Sequence, residues 1–497
     1  MSKPRLAIAS GNRLGADAAA AVARDGGNAV DACLASAITA WVAEPFFASA
    51  GGSGFVAVRT PDGTVEVIDG NNAMPGAIPE EPGQGVERVY LDYSNGMYTN
   101  VGAGAIGVPG IIAAVHSAWE RYGRIEWPAL FQTAIRVARD GFPFPKTSDY
   151  YLSVTLDPIW SKDPAAVAIL TRDGRPLRAG EKIVQNELAD SLELIAERGP
   201  DVFYRGELAE EIATIVAERD GFMALEDLKT YRAEARRPIA TTAFGWNIES
   251  NPPPSVGGVV LIHMLTLLDD VDLKDPTARL TAIVEAQRAA MGYRQERYTD
   301  PEGIAAAFEE ALTTMRSRDR SSETTHTSSA DSDGFVCSLT ESNGYGAAVV
   351  VKGILMNNTL GEEELNPLGV HRLPAGSRCH SNMAPTIATG PDTVVGLGSP
   401  GADRIVSAIV QTFLRLSVDH DSLIDAVAGA RGHLDARPDG DLMCYELDLP
   451  GEELPYTPRH YPEIHMYFGG VQAASVSSDG TVDAAFDPRR TGGSALI

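Results

Sequence analysis

SSETTHTSSADSDGF, residues 321–335, is the stretch from which the rest of this chain can be read. Two threonines and a histidine follow Glu323 directly, and a turn comes soon after at Asp333-Gly334. Threonine and serine suit strands, and Asp-Gly is a common hairpin turn, so an ordinary Thr-rich hairpin accounts for that much. Two registers are open. A two-residue loop at Asp333-Gly334 sets Thr324 opposite Asn343, and a four-residue turn centred one residue earlier sets it opposite Glu341. Either way Thr324 lies across from Glu341-Ser342-Asn343, which brings a hydroxyl and an amide beside a threonine hydroxyl. A threonine is a poor nucleophile near neutral pH unless a base is adjacent. Cutting the chain before Thr324 would supply one, an α-amine with a typical pKa of about 7.7–8.0. The preceding run RSRDRSSE, 316–323, is polar and reads as exposed, where a cut is tolerated.

Acyl chemistry also needs a place for the oxyanion. GSPGADRI at 398–405 offers one, because Gly401 and Ala402 stand at the start of a strongly apolar-periodic helix predicted over 402–418. Free N–H groups and the helix dipole both favour negative charge there. The competing glycine motif, GAGAIG at 102–107, matches a dinucleotide fingerprint but lacks a good strand before it and a placed acid after it, so it reads as a Gly-rich turn. No G-x-S-x-G elbow and no H-E-x-x-H pair is present.

The 497 residues carry 67 acidic against 41 basic side chains, a net charge of −26 that repels phosphate backbones and argues against a nucleic-acid partner. No apolar run reaches about 18 residues and the N-terminal stretch lacks a signal-like segment, so no membrane association and a cytoplasmic location are expected. Cys33, Cys337, Cys379 and Cys444 are too scattered for a metal or disulfide framework and read as buried thiols. Helices are expected over 14–25, 30–43, 109–123 and much of 259–315, with a hairpin over 51–69 and short strands through 324–400. Strands covered by early and late helices suggest sheets with helices on their outer faces.

Taken together, the motifs resemble those of the γ-glutamyltranspeptidases, of the N-terminal-nucleophile hydrolase superfamily. The likeness runs through DGGNAVDA (25–32), GGSGF (51–55), GVPG (107–110), ARDGF (138–142), FYRGELAEEI (203–212) and NPPPSVGG (251–258). It continues through TTHTS (324–328), GILMNN (353–358), SNMAPTI (381–387), GSPGADRI and FDPR (486–489). The resemblance implies an α/β (α+β) fold, a four-layer αββα sandwich, with self-cleavage between Glu323 and Thr324. It also implies a large 1–323 and a small 324–497 segment that stay together as a heterodimer in one folded unit. By the family pattern Thr324 is the nucleophile, Ser342 the hydroxyl beside it, and Gly401 and Ala402 the oxyanion pair. Asn343, Glu362, Ser381 and Asn382 fall at substrate-binding positions, and no cofactor or metal is called for.

Asn71 stands where the family carries an arginine for the glutamyl α-carboxylate, a loss of charge and of bidentate geometry. Glu362 replaces an aspartate, Ser381-Asn382 replaces Ser-Ser, and the short segment between Glu362 and Ser381 implies a reduced lid. The expected activity is that of an autoprocessing threonine amidohydrolase or acyltransferase acting on a small amide or peptide, such as glutathione or another γ-glutamyl amide. One alternative is a specialised hydrolase of a non-glutamyl substrate, including C–C bond cleavage as in pyrroline-type antibiotic pathways. The other is an uncleaved homologue that binds without catalysis.

Overall fold

The structure, a computed structural model, describes residues 3–93, 96–297, 324–366, 368–437 and 440–497. Two sheets face each other. Their strands, in chain order, are β1 (Leu6–Ser10), β2 (Ser53–Arg59), β3 (Val65–Gly70), β4 (Glu234–Arg236), β5 (Ile239–Ala243), β6 (Trp246–Ser250) and β7 (Thr325–Asp331). They continue as β8 (Val336–Ser342), β9 (Thr386–Thr389), β10 (Thr393–Gly398), β11 (Gln472–Ser477), β12 (Val482–Phe486) and β13 (Gly493–Leu496). The first sheet runs β4-β3-β2-β8-β7-β1-β13 and the second β5-β6-β9-β10-β11-β12. Every pairing within these two sheets is antiparallel.

Helices cover both outer faces. Helices α1 (Arg13–Arg24), α2 (Ala29–Ala43) and α3 (Ile111–Tyr122) pack on the first sheet. Helices α4 (Val256–Leu268) and α6 (Arg404–Ser417) pack on the second, with α5 (Pro276–Arg297) against α4. This is the four-layer αββα sandwich expected. Helix α2 explains why the layer holds: AVDACLASAITAWVA is apolar on all sides and every residue of it is buried, as a helix between a sheet and further helices must be. A capping box between Asn28 and Asp31 satisfies its first N–H groups. The space between the sheets is filled by Ala7, Phe55, Ala57, Ala330, Val336, Ile387 and Ala474, among others. Among the described residues no helix is long and apolar enough to cross a membrane, and all four cysteines are buried and free.

The helical character expected through much of 259–315 is met as far as residue 297 by two helices, α4 and α5, with a break over 269–275, and residues 298–315 lie outside the described residues. Two expectations shift. The helix expected from residue 402 starts at Arg404, because Gly401 and Ala402 both have positive φ, +119° and +66°, which no α-helix accepts. The hairpin register falls between the two expected: Thr325 pairs with Glu341, Thr327 with Leu339 and Ala330 with Val336. The loop has three residues, Ser332-Asp333-Gly334, closed by the Asp331 N–H on the Phe335 carbonyl at 3.0 Å. Gly334 takes φ +100°, the left-handed residue that a three-residue loop needs. Glu323 and RSRDRSSE, 316–323, lie outside the described residues.

Candidate active site

Strand β7 is polar yet buried on both faces. Its odd-numbered residues face helix α2 and each finds a partner there. The Thr325 hydroxyl donates to Glu44 at 3.0 Å, Thr327 meets Ser36 at 3.2 Å, Ser329 donates to the Ala29 carbonyl at 2.6 Å, and Asp331 accepts from the Ala29 N–H at 2.9 Å. The even residues face the second sheet. His326 is held between Thr340 and Ser328 hydroxyls, each at 2.8 Å, and Ser338 continues from there to the Leu397 carbonyl. A polar strand survives burial only when its groups are hydrogen-bonded in this way.

Burial pushes the His326 pKa down to about 3. The ring is therefore neutral in ordinary buffers and serves as a strut between the sheets rather than as a base. It also explains Gly398. A Cβ there would come closer than 3.0 Å to three atoms of the His326 ring.

One step beyond β7, the register sets Thr324 opposite Ser342, on the face that His326 and Thr340 share. Thr324 is buried, and its hydroxyl has no hydrogen-bond partner among the described residues. Asn343 is fully buried with both side-chain amide atoms equally without a partner. Orphaned buried polar atoms are costly and rare, and they mark places built to receive something. Gly52 lets β2 approach here, since a Cβ on it would strike the Ser342 carbonyl. Around Asn343 the chain turns tightly. The Gly344 N–H donates to the Ser342 hydroxyl at 3.1 Å and the Tyr345 N–H to Asn358 Oδ1 at 2.7 Å. The Glu362 carboxylate stands beside Gly344, where a Cβ would lie 2.9 Å from it.

Ser381 and Asn382 are buried and tied to the start of α4. The Ser381 carbonyl accepts from the Val256 and Gly257 N–H groups at 2.8 and 3.1 Å, and Asn251 Nδ2 donates to the Met383 carbonyl at 2.9 Å. NPPPSVGG and SNMAPTI are thus one structural unit. Asn71 sits two residues' reach away: its Nδ2 donates to the Cys379 carbonyl at 2.6 Å. Its own carbonyl accepts from Arg378 Nη1 at 3.1 Å and from the Tyr231 hydroxyl at 2.6 Å. Arg378 in turn lies over the Tyr231 ring at 4.4 Å and donates to the Arg232 carbonyl. The structure therefore brings Thr324 to Ser342, Asn343 to Glu362, and Asn71 to the segment that leads into Ser381-Asn382.

The turn carrying Gly401 and Ala402 lies at the end of β10, three residues beyond the Gly398–His326 contact, so it belongs to the end of the sandwich where β7 begins. Ala402 is fully buried at φ +66°, a conformation that costs a non-glycine residue about 1–2 kcal/mol and persists only where the surroundings impose it. The loop 467–470 packs against this turn. Three arginines hold three successive carbonyls: Arg404 Nε donates to Tyr467 O at 2.9 Å, Arg431 Nη1 to Phe468 O at 3.1 Å and Arg490 Nε to Gly469 O at 3.4 Å. The fixed loop presses on the turn. The Gly470 N–H donates to the Ser399 hydroxyl at 3.0 Å, and a Cβ on Gly401 would lie 2.9 Å from the Gly469 Cα. Arg431 is itself paired with Asp487 at 2.7 Å, and Asp487 with Arg489 at 3.1 Å, all buried. FDPR is the base of this clamp. Buried ion pairs are poor sources of net stability, so their effect here is geometric.

Sequence reasoning missed two more groups. Glu341, at 2% exposure, takes the Trp41 indole N–H at 2.7 Å, and burial raises its pKa well above the carboxylate range. Glu44 accepts from Thr325 and from Asn12 Nδ2 at 2.7 Å; burial raises its pKa too, opposed by those donors and by Arg490. Glu341 interrupts an otherwise apolar face of β8, after Cys337 and Leu339, and that break in alternation was the available signal.

The profile of the γ-glutamyltranspeptidase family matches residues 15–317 and 306–497 of the chain. Among curated proteins, the glutathione hydrolase proenzyme of Escherichia coli K12 is 28% identical, spanning 94% of this chain and 87% of its own length. The acylase ACY 1 proenzyme of Pseudomonas sp. strain SE83 is 30% identical, spanning 97% of this chain and 92% of its own. Among solved structures, cephalosporin acylase from Bacillus halodurans superposes with a TM-score of 0.80 over 100% of this chain and 96% of that one, at 22% identity, a likeness of fold. The profile spans nearly the whole chain and both curated relatives align over most of their length, so the chain belongs to the γ-glutamyltranspeptidase family and is an enzyme of the glutathione hydrolase and acylase kind.

Proposed function

We propose that the protein is an autoprocessing threonine-nucleophile amidohydrolase or acyltransferase, cut between Glu323 and Thr324. The observation that carries this reading is the buried, unpartnered hydroxyl of Thr324 opposite Ser342 and near the equally unpartnered Asn343. In the first turnover Thr324 Oγ1 attacks the carbonyl carbon of its own preceding peptide, and an N-to-O acyl shift and hydrolysis leave segments of 323 and 174 of the 497 residues. The freed α-amine then accepts the hydroxyl proton as Oγ1 attacks the substrate acyl carbon. The Gly401 and Ala402 N–H groups face the developing oxyanion, and the ammonium returns its proton to the leaving group. Water or an amine releases the acyl group by the same steps. Ser342 steadies the nucleophile; Asn343, Glu362, Ser381 and Asn382 hold the substrate.

Asn71 favours a non-glutamyl acyl donor. Its amide donor is spent on the Cys379 carbonyl, and Arg378 beside it is engaged by two carbonyls and a tyrosine face. Neither residue is poised as a charged fork for an α-carboxylate. The acylase relatives are in keeping with this reading, which allows C–C cleavage of an activated acyl group by the same attack. Intact mass spectrometry of purified protein tests the proposal. Fragments of 323 and 174 residues are expected; a chain that stays whole on long incubation would leave only the binding homologue.

A further inference from the structure

Beside the arginine-held loop lies a cleft of about 360 Å³ whose lining includes Tyr93, Tyr150, Arg404, Arg459, Tyr461 and Tyr467. The rings form two pairs. Tyr461 and Tyr467 stack with centroids 5.5 Å apart and planes 13° from parallel, and Tyr93 meets Tyr150 at 5.9 Å. Arg404 lies over Tyr467 at 4.8 Å and Arg459 over Tyr461 at 5.6 Å. A guanidinium laid on a ring can still offer its N–H edge to a carboxylate fork; Arg404 spends its edge on the Tyr467 carbonyl and on Asp403, which leaves Arg459 as the candidate. The chain has 67 acidic and 41 basic side chains, so most of its arginines find acids. Arg459 is an exception: no carboxylate among the described residues forms an ion pair with it, and Asp92 is the one carboxylate in the lining.

We propose that this cleft is a substrate subsite for a planar aromatic or conjugated carboxylate, lying against the tyrosine-lined wall and held through Arg459. The assignment rests on the acyl-transfer reading above and names the class of group it would accept. The cleft is linked to the proposed chemistry through one loop. Tyr467 supplies both a ring of the wall and the first of the three clamped carbonyls, and two residues later Gly469 presses on Gly401. A ligand seated against Tyr467 therefore touches the loop that shapes the oxyanion turn. This also offers the substrate a charged handle in a family member whose glutamyl arginine is replaced by Asn71.

The test uses 4-aminobenzoate as the probe and 4-aminobenzamide as its uncharged match, titrated calorimetrically into the full Thr324→Ala chain, which cannot turn over. The acid is expected to bind at least tenfold more tightly than the amide. Arg459→Gln should remove that advantage while leaving the amide unchanged, Arg459→Lys should fall between, and Tyr461→Leu should weaken both. Arg459 lies on an exposed strand, so its replacement leaves the fold intact. Equal binding of acid and amide, an acid affinity that survives Arg459→Gln, or no saturable binding by either probe would overturn the assignment. Because the titration needs no turnover, it separates from the nucleophile reading. A wild-type chain that never cuts itself defeats that reading whatever the probe does, and a cutting enzyme that ignores the probe defeats only the cleft.

Discussion

Replacing Gly398 with alanine tests whether Thr324, the proposed nucleophile, is positioned by the strut between the sheets. The new methyl would lie closer than 3.0 Å to three ring atoms of His326. The ring cannot retreat easily, for it is fully buried and bonded at both nitrogens at 2.8 Å. Either β7 moves away from β10 or the imidazole leaves its hydroxyl partners. Overpacking of this size costs about 1–3 kcal/mol, and stranding one buried imidazole nitrogen costs about 1–3 kcal/mol more. The expected loss of stability is therefore about 2–6 kcal/mol. His326 is two residues from Thr324, so a shift of β7 also misplaces the proposed nucleophile, and about 1 Å of misplacement is worth on the order of 100-fold in rate. Urea unfolding of the uncut Thr324→Ala chain with and without Gly398→Ala, monitored by tryptophan fluorescence, gives the first quantity, and the appearance of the 174-residue fragment from the Thr324-bearing chains on denaturing gels gives the second. The double variant Gly398→Ala with His326→Ala should recover much of both, since the clash needs both partners. A single Gly398→Ala chain that is as stable as wild type within about 0.5 kcal/mol and matures at the same rate would refute the strut.

Thr324→Ala should abolish cutting and turnover, whereas Ser342→Ala in matured protein should slow turnover by about 10- to 100-fold, the equivalent of 1–3 kcal/mol; equal and complete losses in steady-state assays would show the roles misassigned. Removing the α-carboxylate from a γ-glutamyl anilide should change kcat/KM by less than about threefold, because Asn71 is neutral and Arg378 beside it already donates to two carbonyls; a drop of a decade or more would mean that Arg378 reads it. Glu341 titrates well above its unfolded value, so its contribution is fully present below the unfolded pKa and is lost as pH rises toward the folded one. Glu341→Gln should therefore gain stability relative to wild type between pH 5 and 8 in urea titrations, and an unchanged difference would place the proton elsewhere. His326 runs the opposite way. Its folded pKa of about 3 makes stability fall as pH drops below the unfolded value near 6.5, and His326→Asn should flatten that loss between pH 6 and 4.

The fold was open to sequence reading where apolar patterning speaks: α2, the β2–β3 hairpin and α6 follow from periodicity and turn chemistry. Strand β7 resists that approach, since THTSSAD has no apolar alternation and gains its place from hydroxyls bonded to α2 and to the facing sheet. The register needed the conformation of one residue, Gly334, which Asp-Gly alone does not specify. The motifs pointed to Thr324, Ser342 and the Gly401-Ala402 turn as candidates, but not to what packs around that turn. Arg404, Arg431 and Arg490 are far apart in sequence from the loop or from one another, and nothing about an isolated arginine announces that it will hold a carbonyl.

The order of strands in the first sheet has a consequence for the life history of the molecule. Strands β7 and β8 lie between β2 and β1, and β13 closes the far edge beyond β1, so residues on either side of position 323 alternate across one hydrogen-bonded layer. A chain cut there keeps its shape only because it was folded while whole. Thereafter, renaturation from denaturant becomes a bimolecular event, second order in protein and in competition with aggregation of two pieces that each carry half of an open sheet. The uncut Thr324→Ala chain, by contrast, should refold at a rate independent of concentration. For an enzyme that cuts itself as proposed, folding happens once.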